Sequence, residues 1–335
     1  MRHSARRRPK SWLPSTTPNL TVVPHNDSMT ISLMPRGGMR RRLVAEKVIK
    51  GALTLMAGAT VVVSVLIVLA LFRPAIAFFQ DVDIAEFFGS VDWKPLFKPA
   101  HFGVWSIVIG SLWVAAIAMV VAIPLGLGAA FYLSEYASSR ARTIIKPILE
   151  VLAGIPTVVF GFFALNFVNP NLVKKLWPVG DVGTYSVLAA GLVTGIMILP
   201  TVASLAEDAM NSVPSALREG AFALGSNKRE VSTSVVFPAA LSGIVAAIVL
   251  AASRAIGETT IAVLAAGSKA QLSFNPGEEG QTMAGFIGFA GIGDQPTGSV
   301  GYQSIFAVGA LLFVFTLVLN IISIRVVRKF REVYD

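Results

Sequence analysis

Arg254 and Glu258 stand four residues apart in AASRAIGETTIAVLAAG (251–267), a stretch otherwise suited to a membrane core. Each ionised group at the bilayer centre costs about 2.5–3.5 kcal/mol on the insertion scale. On a continuous helix, positions i and i+4 share a face, so the spacing predicts an ion pair. One reading is structural: the pair locks helices together, although buried pairs are often neutral or worse for stability. The other is a path for an oxyanion, because arginine presents a planar fork of donors that matches tetrahedral oxyanion oxygens. In that reading Arg254 touches the passing anion, and Glu258 holds or releases the arginine so that the empty path does not trap its cargo.

A second unusual stretch is GIPTVVFG (154–161). Proline removes a helical hydrogen bond, and glycine lets backbones approach closely. Gly154, Pro156 and Gly161 therefore predict either a kink made for packing or a broken helix that offers backbone groups to a path, with the Thr157 hydroxyl beside them. Pro124 and Pro200 read as kinks, and Glu150 as interfacial. The chain has no cysteine, and its three histidines, at 3, 25 and 101, form no ligand cluster. Disulfides, thiolate metal sites and thiol nucleophiles are excluded, and no His/Ser/Asp constellation lies in the apolar stretches.

The elements that must position these residues follow from composition. The 335 residues are 54% hydrophobic and 14% charged, which places the chain in the membrane class. Six apolar stretches, near 48–72, 104–133, 145–168, 184–204, 237–266 and 302–327, are long enough to cross a hydrocarbon core of about 30 Å. The expected fold is an all-α integral membrane protein of six transmembrane helices. Residues 1–42, rich in Arg, Pro, Ser, Thr and Asn, read as a disordered basic tail, and 43–335 as the membrane domain. The first apolar stretch is too long for a signal-peptide core, so it reads as an uncleaved span.

The formal net charge of +9 could suggest nucleic acid, but its distribution argues for topology. Twenty-one of the 28 Lys and Arg residues fall in residues 1–50, the connections 134–147 and 205–237, and the C-terminus, whereas six fall in the other connections. The positive-inside rule then puts both termini in the cytoplasm.

The cytoplasmic connection 205–237 contains VPSALREGAFALGSNKREVSTSVVFP (213–238), which reads as two short helices around a glycine. Pro214 suits a first helical turn. Leu217, Ala221 and Leu224 recur on one apolar face. Gly225 can end a helix in the left-handed conformation, and Asn227 with Glu230 fits a capping box. Pro238 marks the start of span five. An amphipathic unit of this kind suits either docking to a partner or lying on lipid, and few basic residues line its polar side.

This segment resembles the E-A-A-x3-G-x9-I-x-L-P loop of ABC importer permeases. Glu219, Gly220, Ala221, Gly225, Val235, Phe237 and Pro238 are in register, with departures at Gly220, Val235 and Phe237. The stretches GIPTVVFGFFAL (154–165) and RAIGET (254–259), the order HFGVWSIVIGSLW…YLSEYA from His101 to Ala137, and the outer segment after span one are similar to the phosphate-uptake (Pst) permeases of PstC type. The likeness covers most of 48–330. It implies a type I ABC importer permease fold in a bacterial inner or plasma membrane, carrying inorganic phosphate, with Arg254, Glu258, Gly154, Pro156 and Thr157 on the substrate path. It further implies that Glu219, Ala221, Leu224 and Gly225 engage an ATPase. The implied partners are a second, PstA-type permease, two P-loop ATPase subunits that bind ATP and Mg, and an extracytoplasmic phosphate-binding protein. No G-x-x-x-x-G-K-[ST] occurs in this chain, so no cofactor is expected on it. Permeases for sulfate or phosphonate, and an ATP-independent carrier or channel, are the alternatives. The resemblance implies that the outer segments 73–103 and 267–301 meet the substrate-binding protein, while by themselves they read equally as solvated loops, with no contact residue assigned.

Overall fold

A computed structural model describes residues 36–178, 180 and 182–330, except for the side chains of 36–40 and 329–330. Residues 1–35, most of the expected tail, lie outside the described residues. Helix α1 (Arg36–Asp81) begins six residues before the expected end of that tail. Once the apolar run is helical, adding an upstream turn costs little, and the arginines at 40–42 are good helix formers. The chain divides into two units at Val62, within α1. The first unit is helical from residue 36, and its described side chains, 41–62, are all exposed.

The second unit is a helical bundle. A short helix α2 (Ile84–Gly89) and a two-residue hairpin, β1 (Trp93–Lys94) and β2 (His101–Phe102), precede α3 (Trp105–Tyr136). The expected outer loop 73–103 is therefore folded. Phe78, Phe87, Trp93, Phe102 and Phe286 meet edge to face and supply its core. Next come α4 (Ser139–Gly154), α5 (Thr157–Leu176), α6 (Val187–Asn211), α7 (Ser215–Ala223) and α8 (Lys228–Ile256). A short helix, α9, over 260–266, then α10 (Met283–Ile292) and α11 (Val300–Phe330), complete the order. The second outer segment was also expected to be loop. Its apolar helix α10 is capped by the Thr282 hydroxyl, which accepts from Gly285 N–H, and anchored by Ser111 Oγ accepting from Met283 N–H at 2.8 Å.

Among the described residues five helices are long and apolar enough to cross a membrane, and the pair α4 and α5, bent by 88°, makes a sixth when counted as one span. The fifth is displaced from expectation. Its helix starts at Lys228, so the second short helix read from the sequence is the first turn of the span and Pro238 lies inside it. The reason is local. A ring at Pro238 would collide with the carbonyl of an α-turn below it, and the turn over Val231–Val236 widens instead. Phe237 N–H reaches Ser232 O, five residues back, so the helix passes the proline without breaking. Pro170 sits in a similar widened stretch of α5, Ala164–Val173.

The core lies where α3, α6 and α8 pack through small residues such as Ala118, Ala190 and Ala251. A Cβ on Gly195 of α6 would come within 2.8 Å of the Ala118 carbonyl oxygen on α3. Close backbone approach is how membrane helices gain packing without a hydrophobic driving force between them. Gly195→Val should therefore cost about 1–3 kcal/mol through overpacking, read as a lower melting temperature of the detergent-purified protein. Gly220→Ala is the opposite case. No atom lies within 4 Å of the added methyl, and alanine favours α7 by up to about 1 kcal/mol. An unchanged or lower melting temperature for Gly220→Ala would contradict this account of the helix.

Candidate functional site

The expected Arg254–Glu258 ion pair is absent. The described ion pairs are Lys146–Glu207 and Arg218–Glu135, and helix α8 ends at Ile256, between the two charges. Gly257 (φ −84°, ψ 1°) leaves the helix, so the i, i+4 geometry that would align them does not exist. Glu258 instead turns to the next helix. Its Oε1 accepts from the N–H groups of Thr260 and Ile261, at 3.1 and 3.2 Å, closing the N-terminus of α9. The first N–H groups of a helix have no partner within it, and a carboxylate there also meets the positive end of the helix dipole.

Arg254 is left without a carboxylate. It is exposed in the last turn of an otherwise apolar helix, and Nη1 donates to Thr201 Oγ1 at 3.2 Å, its one polar partner among the described residues. Thr201 follows Pro200 on α6, a position that the sequence reading left as a simple kink. Most of the fork of donors on Arg254 is therefore open. A guanidinium in this state can take an oxyanion without first giving up an ion pair.

The GIPT segment forms a second break. Ile155 is extended (ψ 129°), as the residue before a proline tends to be, and Pro156 has no N–H to continue the ladder. The 88° bend between α4 and α5 is a broken helix rather than a packing kink. Gly154 and Pro156 are exposed, and Thr157 is half-buried at the first turn of α5. The two breaks belong to one neighbourhood. Leu152 and Ile155 from the first, and Ala251, Ala255 and Ile256 from before the second, share one apolar cluster. A Cβ on Gly161 would come within 2.7 Å of Leu264, so α5 and α9 pack directly beyond the breaks.

In the segment 213–238 the turn and the capping box are as expected, whereas Pro214, Leu224 and the second short helix differ. Gly225 has φ +87°, the left-handed conformation expected of it. Asn227 and Glu230 form the reciprocal capping box, with bonds of 3.0 and 2.9 Å. Pro214 sits at the N-cap of α7, one residue before the first turn. Leu217 and Ala221 pack against the bundle, but Leu224 does not share their face. It caps the C-terminus of α7 and is 90% exposed. The helix has already ended there, so the 3.6-residue period no longer applies. Leu224, half-exposed Phe222 and exposed Glu219 make an outward surface.

Sequence reading missed the polar groups that hold α7. Arg218 Nη2 reaches Glu135 Oε1 at 3.2 Å, and its two terminal nitrogens also donate to the carbonyls of Val213 and Met210, each at 2.7 Å. The Glu135 partner is 83 positions away, so no spacing announces it. A separate cavity of about 960 Å³ lies between 91–101 and 268–289, and none of the path candidates lines it.

Comparison with known proteins accords with this architecture. The family of binding-protein-dependent transport system inner membrane components matches residues 122–332. A probable ABC transporter permease, YqgH of Bacillus subtilis, is 32% identical over 251 residues, covering 73% of this chain and 80% of that one. The phosphate transport system permease protein PstC of Xylella fastidiosa is 31% identical over 255 residues, 71% and 77% of the two chains. The probable phosphate transport system permease protein PstC of Methanocaldococcus jannaschii is 30% identical over 259 residues, 72% and 80%. Among solved structures, a bacterial alginate ABC transporter in complex with its pentasaccharide-bound periplasmic protein matches with a TM-score of 0.60 at 14% identity, over 88% of this chain and 99% of that one. The inward-facing MetNI methionine ABC transporter matches at 0.51 and 18% identity, over 69% and 95%. At these identities the structural likeness is one of fold. Both the broken third span and the fifth span with its exposed arginine fall within the matched region, and the chain belongs to the inner membrane components of binding-protein-dependent transport systems, as a multi-pass permease rather than an enzyme.

Proposed function

We propose that this permease forms half of the translocation path of an ATP-driven inorganic phosphate importer. The observation that carries the reading is Arg254: an exposed guanidinium in an apolar span, bonded only to Thr201 among the described residues, in a chain whose third span is also broken, at 155–156. The relatives named as phosphate permeases support phosphate over other oxyanions. Both termini would lie in the cytoplasm, which puts α7 on the side where ATP is hydrolysed. A PstA-type permease would complete the path. Two P-loop ATPase subunits, binding ATP and Mg, would receive the outward surface of Glu219, Phe222 and Leu224, which Ala221 seats against the bundle. An extracytoplasmic phosphate-binding protein would deliver the anion.

The path residues divide the work. Arg254 supplies charge and paired donors, Thr201 orients the guanidinium, and the first turn of α5 at Pro156 and Thr157 adds polar groups to an apolar wall. Glu258 keeps the break at Gly257 open by holding the N-terminus of α9, and leaves the arginine free for the anion.

In proteoliposomes holding the full complex, Arg254→Ala should lower ATP-dependent phosphate uptake by at least about tenfold, as expected for loss of a charge-assisted bidentate contact, with assembly unchanged. Arg254→Lys should recover only part of it, because a point charge does not reproduce the fork. Uptake of sulfate or phosphonate in place of phosphate by the unmodified complex would reassign the substrate, and normal phosphate uptake by Arg254→Ala would remove the arginine from the path.

The docking surface makes a separate prediction. Leu224 and Glu219 are exposed, so Leu224→Asp and Glu219→Lys should change the stability of the permease by no more than about 0.5 kcal/mol, read as a nearly unchanged melting temperature. Both should reduce co-purification of the ATPase subunits. Full retention of those subunits by both variants would show that α7 is not where they bind.

A further inference from the structure

Beyond the path and the docking surface, an unbroken line of polar side chains runs between them. It begins at Arg218 on α7, whose Nη2 lies 3.2 Å from Glu135 Oε1 at the end of α3. Ser134 Oγ lies 3.0 Å from the same carboxylate oxygen and 3.2 Å from Asn211 Oδ1 at the end of α6. Asn211 Nδ2 donates to Glu207 Oε1 at 3.3 Å, and Lys146 Nζ on α4 meets that oxygen at 2.8 Å. Arg142, also on α4, donates to the carbonyls of Leu133 and Ser134 at 2.7 and 2.6 Å. The carboxylates are largely shut off from solvent: the Glu135 side chain is 8% exposed and that of Glu207 is 3%.

The direction of the line matters more than its length. Helix α4 has no fully buried residue and leads straight into the break at 155–156. Its two polar tethers run to the ends of α3 and α6, the same ends that Arg218 grips from α7. A buried carboxylate stripped of its cation is costly, so these helix ends cannot part without a large penalty. When α7 is displaced, the cheaper motion carries α4 with it and turns the break.

We infer that the line Arg218–Glu135–Ser134–Asn211–Glu207–Lys146 is the mechanical link between the ATPase-docking helix and the broken third span, with Glu135, Glu207 and Lys146 as positioning residues. The inference rests on the reading of α7 as the docking helix. None of these groups touches substrate. Their work is to make one rigid body of α7, α4 and the ends of α3 and α6.

The test uses the reconstituted complex and two readouts. Replacing both charges of one pair, Lys146→Met with Glu207→Gln, leaves no carboxylate buried without a cation, so the fold is spared. Basal ATP hydrolysis should stay within about twofold while phosphate moved per ATP falls at least about fivefold, the range expected for a broken coupling network. The exchanged pair, Lys146→Glu with Glu207→Lys, should restore part of that ratio. An unchanged ratio in the neutral pair, or a parallel loss of hydrolysis and uptake, overturns the link. The second readout does not depend on that variant. The chain has no cysteine, so spin labels can be placed on exposed Ile148 of α4 and exposed Ser215 of α7. Their separation should hold constant when ATP binds to the complex, and a separation that changes with ATP overturns the rigid body. Failure of the unmodified complex to take up phosphate would count against the proposed substrate instead, since labels and hydrolysis would still report on the link.

Discussion

The carboxylate of Glu258 closing the N-terminus of α9 is the contact on which the site depends. A helix that stops inside an apolar span exposes backbone N–H groups that lipid cannot satisfy, and each would cost several kcal/mol. Glu258 satisfies two of them with one oxygen. That lets the chain leave α8 at Gly257 and re-enter a helix three residues later. It also commits the negative charge. A carboxylate drawn into the α9 terminus is not available to neutralise Arg254, so the break and the unpaired arginine are two results of one contact.

The charges themselves were plain in the sequence, and their relation was not. Four-residue spacing implies proximity only while the helix continues, and Gly257 is the residue at which it does not. The GIPT break was easier to foresee because proline acts on its own neighbours: it pushes Ile155 out of the helical region and removes a donor, whatever surrounds it. Gly225 and the Asn227–Glu230 box were legible for the same reason, since a cap is a contact over three residues. Leu224 was misplaced by one step of the same logic, because periodicity was carried past the end of the helix. Thr201, Glu135 and Glu207 had no local signature at all. Their roles come from partners 53, 83 and 61 positions away in the chain.

Proline has opposite effects in two spans. At Pro156 it ends a helix and bends the path by 88°. At Pro238 the turn before it widens, Phe237 bonds to Ser232, and the helix runs on through Ile256. What precedes the proline separates the cases. Ile155 has already turned extended after Gly154, whereas Val236 and Phe237 remain helical. If the span moves as one piece from the proposed docking helix to the arginine, it needs the second outcome. The capping box at its start then sets where that piece begins.

Arg254 lies near the end of α8, the helix that starts directly after the Gly225 turn closing α7, while α4 leads into the GIPT break and is tied by two tethers to the ends of α3 and α6. If α7 is where the ATPases push, as proposed, force would reach the arginine along α8 and the break through Lys146 and Arg142. With the first route alone, the arginine would move against a fixed wall and an anion would see the same opening on either side. With both, charge and wall would move together, and access would pass from one face of the membrane to the other without leaving the guanidinium exposed to both at once.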